Sequence, residues 1–362
     1  MTRAATTGGD GFLGWHTQCA LREAGTACAD IPVGDFFDPE QALAAVDGAD
    51  RFIHLAGVNR GSDEEVADGN RLFAEQMATT LRRASRPPSV VVYANSIQAS
   101  LDNTYGRAKA AAADVLRAAA ADVGAQFVDV RFPNLFGEHG RPFYNSVTAT
   151  FCHLLAQGGS PQVVDDKELT LLHAQDAADV LIGAVDPDRM GSLAWQETVS
   201  GLAGRLGRMA EAYRAGEIPD VSVKPDRDLF NTYRSYAPVA GIGLAAHADA
   251  RGAFVEIVRA RGGQGQTSFS TTVPGVTRGD HFHRRKIERF VVLSGQAVIR
   301  LRRVGTDDVV CLPVSGDEPV AVDMPTMWAH NITNVGQEPL YTAFWADELF
   351  DPARPDTIAE RV

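Results

Sequence analysis

Nowhere does the 362-residue sequence hold an apolar run near the roughly 18 residues that cross a bilayer, so no helical membrane span is expected. It also lacks clustered lysine and arginine. Acidic residues outnumber basic ones by 46 to 34, giving a net charge of -12, whereas phosphate backbones and anionic membranes call for the opposite balance. Neither nucleic acid nor a membrane is therefore an expected partner. Cysteine is scarce: Cys19, Cys28, Cys152 and Cys311 stand apart with no Cys-x-x-Cys pair. That argues against a disulfide framework or a cysteine zinc site and suits a reducing compartment. There are no repeats and no low-complexity tracts. The opening MTRAATTGGDG enters structure too soon for a signal peptide, so the expected location is the cytoplasm.

What is present looks globular, with 45% hydrophobic and 22% charged residues. The length suggests about two domains. From Ala4 to about Pro187, short apolar runs (51–55, 89–93, 126–131) alternate with helical stretches (64–85, 105–123). Strands alternating with helices predict βαβ units and a doubly wound parallel sheet. The stretch from 188 to 242 is mixed, with a helix expected near Gly201–Ala215, and reads as a substrate lid. Beyond Gly243, short strands separated by Gly, Pro and Asp turns predict an antiparallel barrel or double-sheet jelly roll, with a jelly-roll barrel the first expectation. The boundary is placed near 245, giving domains 1–244 and 245–362.

Two constellations carry chemistry. The first is Thr7-Gly8-Gly9-Asp10-Gly11-Phe12-Leu13-Gly14, which follows a strand and opens a helix. Gly8 permits the tight turn, Gly11 lets backbone approach a pyrophosphate, Gly14 allows close helix packing, and the amides around Phe12 and Leu13 face the phosphate. The small residues of Leu55-Ala56-Gly57 leave room for the cofactor. Asp35, about twenty residues past Gly14, is the candidate for the ribose hydroxyls, and Asp30 competes with it if the second strand ends earlier. Tyr105 and Lys109 are four apart on a helix and share a face, so the ammonium can support a phenol in acid–base work. Ser96 could bond the same substrate oxygen.

The second constellation is His281, His283, Glu288 and His330. His281 and His283 leave a strand from one face, Glu288 falls across a hairpin from them, and His330 returns on a neighbouring strand. Three imidazoles and a carboxylate suit a divalent metal. Zinc, iron, manganese and nickel all accept such ligands, with zinc the first expectation. Arg278, Asp280 and Lys286 flank the motif as candidates for proton transfer or phosphate contact.

On these residues the first region resembles the extended short-chain dehydrogenase/reductase family, with a Rossmann-like fold. The resemblance implies Tyr105 as proton donor, Lys109 on the nicotinamide ribose, Ser96 orienting substrate, and Asn134, Arg141, Tyr144 and Asn145 on a nucleotide sugar. The spacing Gly275-x5-His281-x-His283-x4-Glu288-x6-Gly295, then Pro325, His330 and Asn334, resembles the cupin family. It departs at Met327, where a glycine is usual. Taken whole, with His54-Leu-Ala-Gly-Val-Asn59-Arg60, Asn95-Ser-Ile-Gln98 and the tail Phe350–Thr357, the chain resembles the bifunctional capsular polysaccharide enzymes that form UDP-N-acetyl-L-pneumosamine. That resemblance implies C3 epimerisation of a UDP-4-keto-6-deoxy-hexosamine in the cupin, then C4 ketone reduction with NADPH. It also implies substrate contacts at Asn59 and Arg60. Gly34-Asp35 replaces a basic residue of that family, which leaves NADH or NADPH open. A homodimer is expected from exposed barrel edges. The alternative is a single-activity reductase or epimerase whose cupin serves dimerisation or sugar binding.

Overall fold

The computed structural model describes residues 2–250 and 252–362, and packing divides the chain into two compact units. One comprises Met1–Phe136 with Leu169–Gln196, the other Gly137–Glu168 with Glu197–Val362. The expected division at 244/245 follows the change in chain character. Packing instead groups 137–168 and 197–244 with the C-terminal strands. Among the described residues no helix is long and apolar enough to cross a membrane.

The first unit is built on five parallel strands, β1 (Arg3–Thr7), β2 (Ala27–Ile31), β3 (Arg51–His54), β4 (Val90–Ser96) and β5 (Gln126–Phe132), in the order β2-β1-β3-β4-β5. This is the expected doubly wound, Rossmann-like sheet. Neighbouring residues alternate between two cores. Phe52, Val91 and Tyr93 pack with Ala74, Met77, Leu81 and Leu116 on one face, while Ile53, Val92 and Val130 meet Leu172, Val180 and Leu181 on the other. Helices α1 (Phe12–Glu23), α2 (Pro39–Val46), α3 (Asp63–Arg83) and α4 (Thr104–Asp122) connect the strands. Their starts are chemically marked: Ser62 and Glu65 form a capping box on α3, and Asn103 caps α4. The strand order changes direction between β1 and β3, which opens a crevice above their C-terminal ends.

The second unit holds two five-stranded antiparallel sheets. One runs Gln266–Thr272, Leu340–Ala346, Glu288–Ser294, Val320–Met324, Ile242–Gly243; the other Val309–Ser315, Gln296–Arg303, Trp328–Asn334, Thr277–Phe282, Ile358–Ala359. Val292, Ile299, Leu301, Val322, Met324 and Ile332 belong to one apolar cluster drawn from both sheets. Among the described residues these strands form two sheets and no closed barrel. Thr277–Phe282 and Glu288–Ser294 lie in different sheets instead of pairing, and no ladder among the described residues joins the two sheets. The hairpin expected between the His281 strand and Glu288 fails for the same reason. The stretch expected as a lid forms helices Val199–Arg214 and Lys224–Arg234, with Tyr213 edge-on to Phe230 and Arg234 donating to the Met324 carbonyl at 2.7 Å.

Arg289 and Asp323 form a buried bidentate pair at 2.7 and 2.9 Å, and Arg289 also donates to the Gly216 carbonyl. Burial alone would push the Asp323 carboxyl up, but the guanidinium holds it below the usual range. Asp323→Ala strands a buried cation, so it should cost about 3–5 kcal/mol, whereas pairing it with Arg289→Met should recover much of the loss. Urea unfolding followed at a C-terminal probe checks both.

Candidate functional site

At the end of β1, the loop Gly8–Gly11 delivers the chain into α1. Gly11 is its N-cap and supplies no side-chain cap, so the first amides of the helix remain available to a phosphate. Gly8 has φ +73, and a β-carbon there would lie 2.8 Å from the Ala56 nitrogen; one at Gly14 would lie 2.0 Å from the Gly8 oxygen. Thr7, not singled out from sequence, ties the ends of β1 and β3 together. Its hydroxyl accepts the Leu55 and Ala56 amides, both at 3.2 Å, and sits 2.8 Å from His54 Nδ1.

A cleft of about 490 Å³ opens above these strands. Gly8, Gly11, Phe12, Leu13 and Gly14 line one side and Leu55, Ala56, Gly57 and Asn59 another, with Ser96, Tyr105 and Lys109 completing it. The two predicted groups of cofactor and catalytic residues thus meet in one cavity. Asp35 is not among the lining residues; it lies in the 3-10 turn Gly34–Phe36, beyond the end of β2. Asp30 reaches the glycine loop instead, its Oδ1 accepting the Gly9 amide at 3.0 Å and the Thr6 hydroxyl at 2.8 Å. β2 ends at Ile31, so Asp30 lies within the strand beside the glycine loop and Asp35 beyond its end.

Ser96 ends β4, and Tyr105 sits in the first turn of α4, one turn before Lys109. The Lys109 ammonium donates to the Ala94 carbonyl at 2.8 Å and lies 4.2 Å above the Tyr93 ring. Burial pulls it down to about 7 against the opposing charge of Asp129. Burial also pushes the Tyr105 phenol up, so it keeps its proton at neutral pH and can donate it to an oxygen within reach. Asn134 lies outside the lining and donates to the Thr170 carbonyl at 3.2 Å. Arg60 lies in the irregular segment between β3 and α3. Arg141, Tyr144 and Asn145 belong to the second unit, where the Arg141 guanidinium stacks 4.8 Å from the Tyr144 ring centre.

In that unit His281, His283, Glu288 and His330 converge, with potential ligand atoms all within 4.8 Å of one another. His281 and His330 are direct cross-strand partners. Glu288 comes from the opposite sheet and brings Oε2 to 3.0 Å from His283 Nε2 and 3.6 Å from His330 Nε2. Both Nε2 atoms are buried without a hydrogen bond of good geometry. Their Nδ1 atoms face backbone carbonyls, His283 toward Asp356 at 2.5 Å and His330 toward Trp328 at 3.1 Å. Such carbonyls fix the tautomer that leaves Nε2 free to ligate. Burial, then the neighbouring imidazoles, pulls His281 down to about 4; burial also lowers His330. Glu288 would rise on burial, but His283 and His330 hold it below the usual carboxylate range. Neutral imidazoles beside an ionised carboxylate are the form that a divalent cation requires, so the donor set fits a metal.

Lys286 sits 3.0 Å from Glu288 Oε1, Arg278 lines a cavity of about 400 Å³ with His281, Glu288 and His330, and Asp280 accepts from Asn331 at 2.8 Å. Met327 takes φ +59, in the left-handed region that favours glycine, and its amide donates to the His283 carbonyl at 2.6 Å.

Residues 5–192 match the NAD dependent epimerase/dehydratase family, and the chain belongs to it. Residues 247–358 match the polysaccharide biosynthesis C-terminal domain. Among characterised relatives, the chain is 32% identical to the UDP-2-acetamido-2,6-beta-L-arabino-hexul-4-ose reductase of Pseudomonas aeruginosa over 99% of this chain and 98% of the relative. It is 28% identical to the spore coat polysaccharide biosynthesis protein SpsL of Bacillus subtilis, over 31% of this chain and 81% of that one. The crystal structure of the capsular polysaccharide assembling protein CapF from Staphylococcus aureus is similar at a TM-score of 0.62 and 33% identity, covering 99% of this chain and 100% of that one.

Lys109 yields a pH test. The folded chain releases its proton near 7 and the unfolded chain near 10.5, so unfolding takes up a proton between those values. Stability should therefore rise with pH across that window, and Lys109→Met should flatten the rise. Thermal unfolding midpoints at several pH values read this directly.

Proposed function

We propose that the chain is a bifunctional nucleotide-sugar enzyme. The second unit epimerises C3 of a UDP-4-keto-6-deoxy-hexosamine, and the first reduces the C4 ketone with NADH or NADPH, giving UDP-N-acetyl-L-pneumosamine or a close relative. One observation carries the reading: a chain related over its length to a UDP-sugar reductase holds a Tyr105/Lys109 cleft and a separate four-ligand cluster.

In the first unit, the glycine loop and open α1 terminus bind the pyrophosphate, and Ser96 and Tyr105 orient the ketone oxygen. The nicotinamide cofactor supplies the hydride. Tyr105 gives its proton to the oxygen as negative charge develops there, and Lys109 supports the resulting phenolate. Asp30 beside the glycine loop favours a free ribose 2′-hydroxyl and hence NADH.

In the second unit, His281, His283, Glu288 and His330 would hold a divalent metal, with zinc first among the candidates. A metal there would supply a Lewis acid for a carbonyl whose neighbouring carbon loses a proton. Arg278 lines one cavity beside Glu288 and Lys286 a second one on which Glu288 also borders, placing both for charge stabilisation and proton movement. Homodimerisation belongs to this reading, supported by the outer strand Gln266–Thr272, which leaves Phe269 70% exposed at a sheet edge.

Incubation with a UDP-4-keto-6-deoxy-hexosamine in deuterated water, without nicotinamide, tests the epimerase half. Deuterium should enter at C3, and Glu288→Gln should abolish the exchange. If no deuterium enters, the second unit is a binding or dimerisation module and the protein is a single-activity reductase.

A further inference from the structure

We infer that the carboxyl-terminal segment 354–360 is part of the metal site, and that Asp356 is the positioning residue that aims His283 into it. The inference rests on the metal reading above and adds a residue to it some seventy positions beyond the ligands it serves.

Asp356 is a buried carboxylate turned toward a single loop. Its Oδ1 accepts the Arg284 amide at 2.9 Å, and its Oδ2 accepts the Arg285 and Lys286 amides at 3.0 and 2.8 Å. Its backbone carbonyl meets His283 Nδ1 at 2.5 Å. One residue therefore fixes four in succession, 283 to 286. That loop carries the chain from the His281 strand in one sheet to Glu288 in the other, so both sheets' ligands depend on its path. Three converging amides and a carboxylate form a closed anion nest that a loop of this length would not hold unaided.

The carbonyl contact decides the chemistry. A carbonyl only accepts, so His283 carries a proton on Nδ1, and Nε2 is the ring atom left facing Glu288 and the other ligands. The conformation this needs is costly. Asp356 has φ +46, in the left-handed region that aspartate tolerates better than most residues. The neighbouring tail is anchored too. Arg285 donates to the Arg354 carbonyl at 2.8 Å, Ile358 and Ala359 pair with Phe282 and His281, and the Glu360 amide donates to the Asp280 carbonyl at 3.0 Å. The tail is thus a strap along the His281 strand with Asp356 as its buckle.

Zinc titration of the full chain, with Asp356→Gly and Asp356→Asn as variants, tests this. Glycine keeps the left-handed backbone and the carbonyl while removing the carboxylate; asparagine keeps one acceptor and guards against a folding failure. Asp356→Gly should weaken the zinc Kd by about 10- to 100-fold, with Asp356→Asn in between. Amide exchange at Arg284, Arg285 and Lys286 should quicken in the metal-free variants. The rise in Tm on adding zinc should shrink. A Kd within about threefold of wild type in both variants overturns the inference, as does an equal fall in Tm with and without zinc. A wild-type chain that binds no zinc fails the metal reading first, and the role of Asp356 falls with it.

Discussion

An ionised carboxylate, Glu288, is carried into the buried space of the second unit and has to be compensated there. His283 and His330 approach its Oε2, and the Lys286 ammonium approaches Oε1. Much of the surrounding structure serves that requirement. Two sheets supply ligands from opposite sides, so the pocket exists only while both hold their separation. Backbone carbonyls turn two of the imidazoles so that their Nε2 atoms face inward. The carboxylate and the two Nε2 atoms thus face one small space, a donor set that suits a divalent cation.

The backbone shows where the strain gathers. Five non-glycine residues among those described have positive φ, and Asp280, Met327 and Asp356 all flank the ligand cluster. Such conformations persist where surrounding contacts over-determine them, and they concentrate at functional sites. In the first unit the comparable constraint is close approach. The ends of β1 and β3 come together so tightly that Gly8 cannot carry a β-carbon without striking Ala56, and Thr7 bonds the β3 end across that gap.

That the three histidines would meet Glu288, and the glycine loop the Tyr–Lys pair, was legible in the sequence because both depend on local spacing. Glycines at a strand-to-helix turn, a Tyr–Lys pair one helical turn apart, and His-x-His on a strand each state their own geometry. The path between sheets was not legible. Nothing in Arg284–Ile287 says that Glu288 will start a strand of the other sheet, so a hairpin was the natural expectation. Asp30 and Asp35 could be separated only by where β2 stops. The helix Lys224–Arg234 escaped notice because it buries Asp228, Asn231, Thr232 and Arg234, polar residues that read as a solvated surface. Met327 looked like a departure in sequence, yet its backbone adopts the glycine conformation while its side chain is fully buried.

The central claim is that two chemically separate sites lie on one chain, and complementation tests it most directly. Tyr105→Phe should lack ketone reduction and Glu288→Gln should lack epimerisation, so neither variant alone should form the reduced, epimerised sugar from a UDP-4-keto-6-deoxy-hexosamine and a reduced nicotinamide. Mixed in one solution, they should form it, because each supplies the step the other has lost. A mixture that stays inactive, or a Glu288→Gln chain that makes the full product alone, would contradict the account.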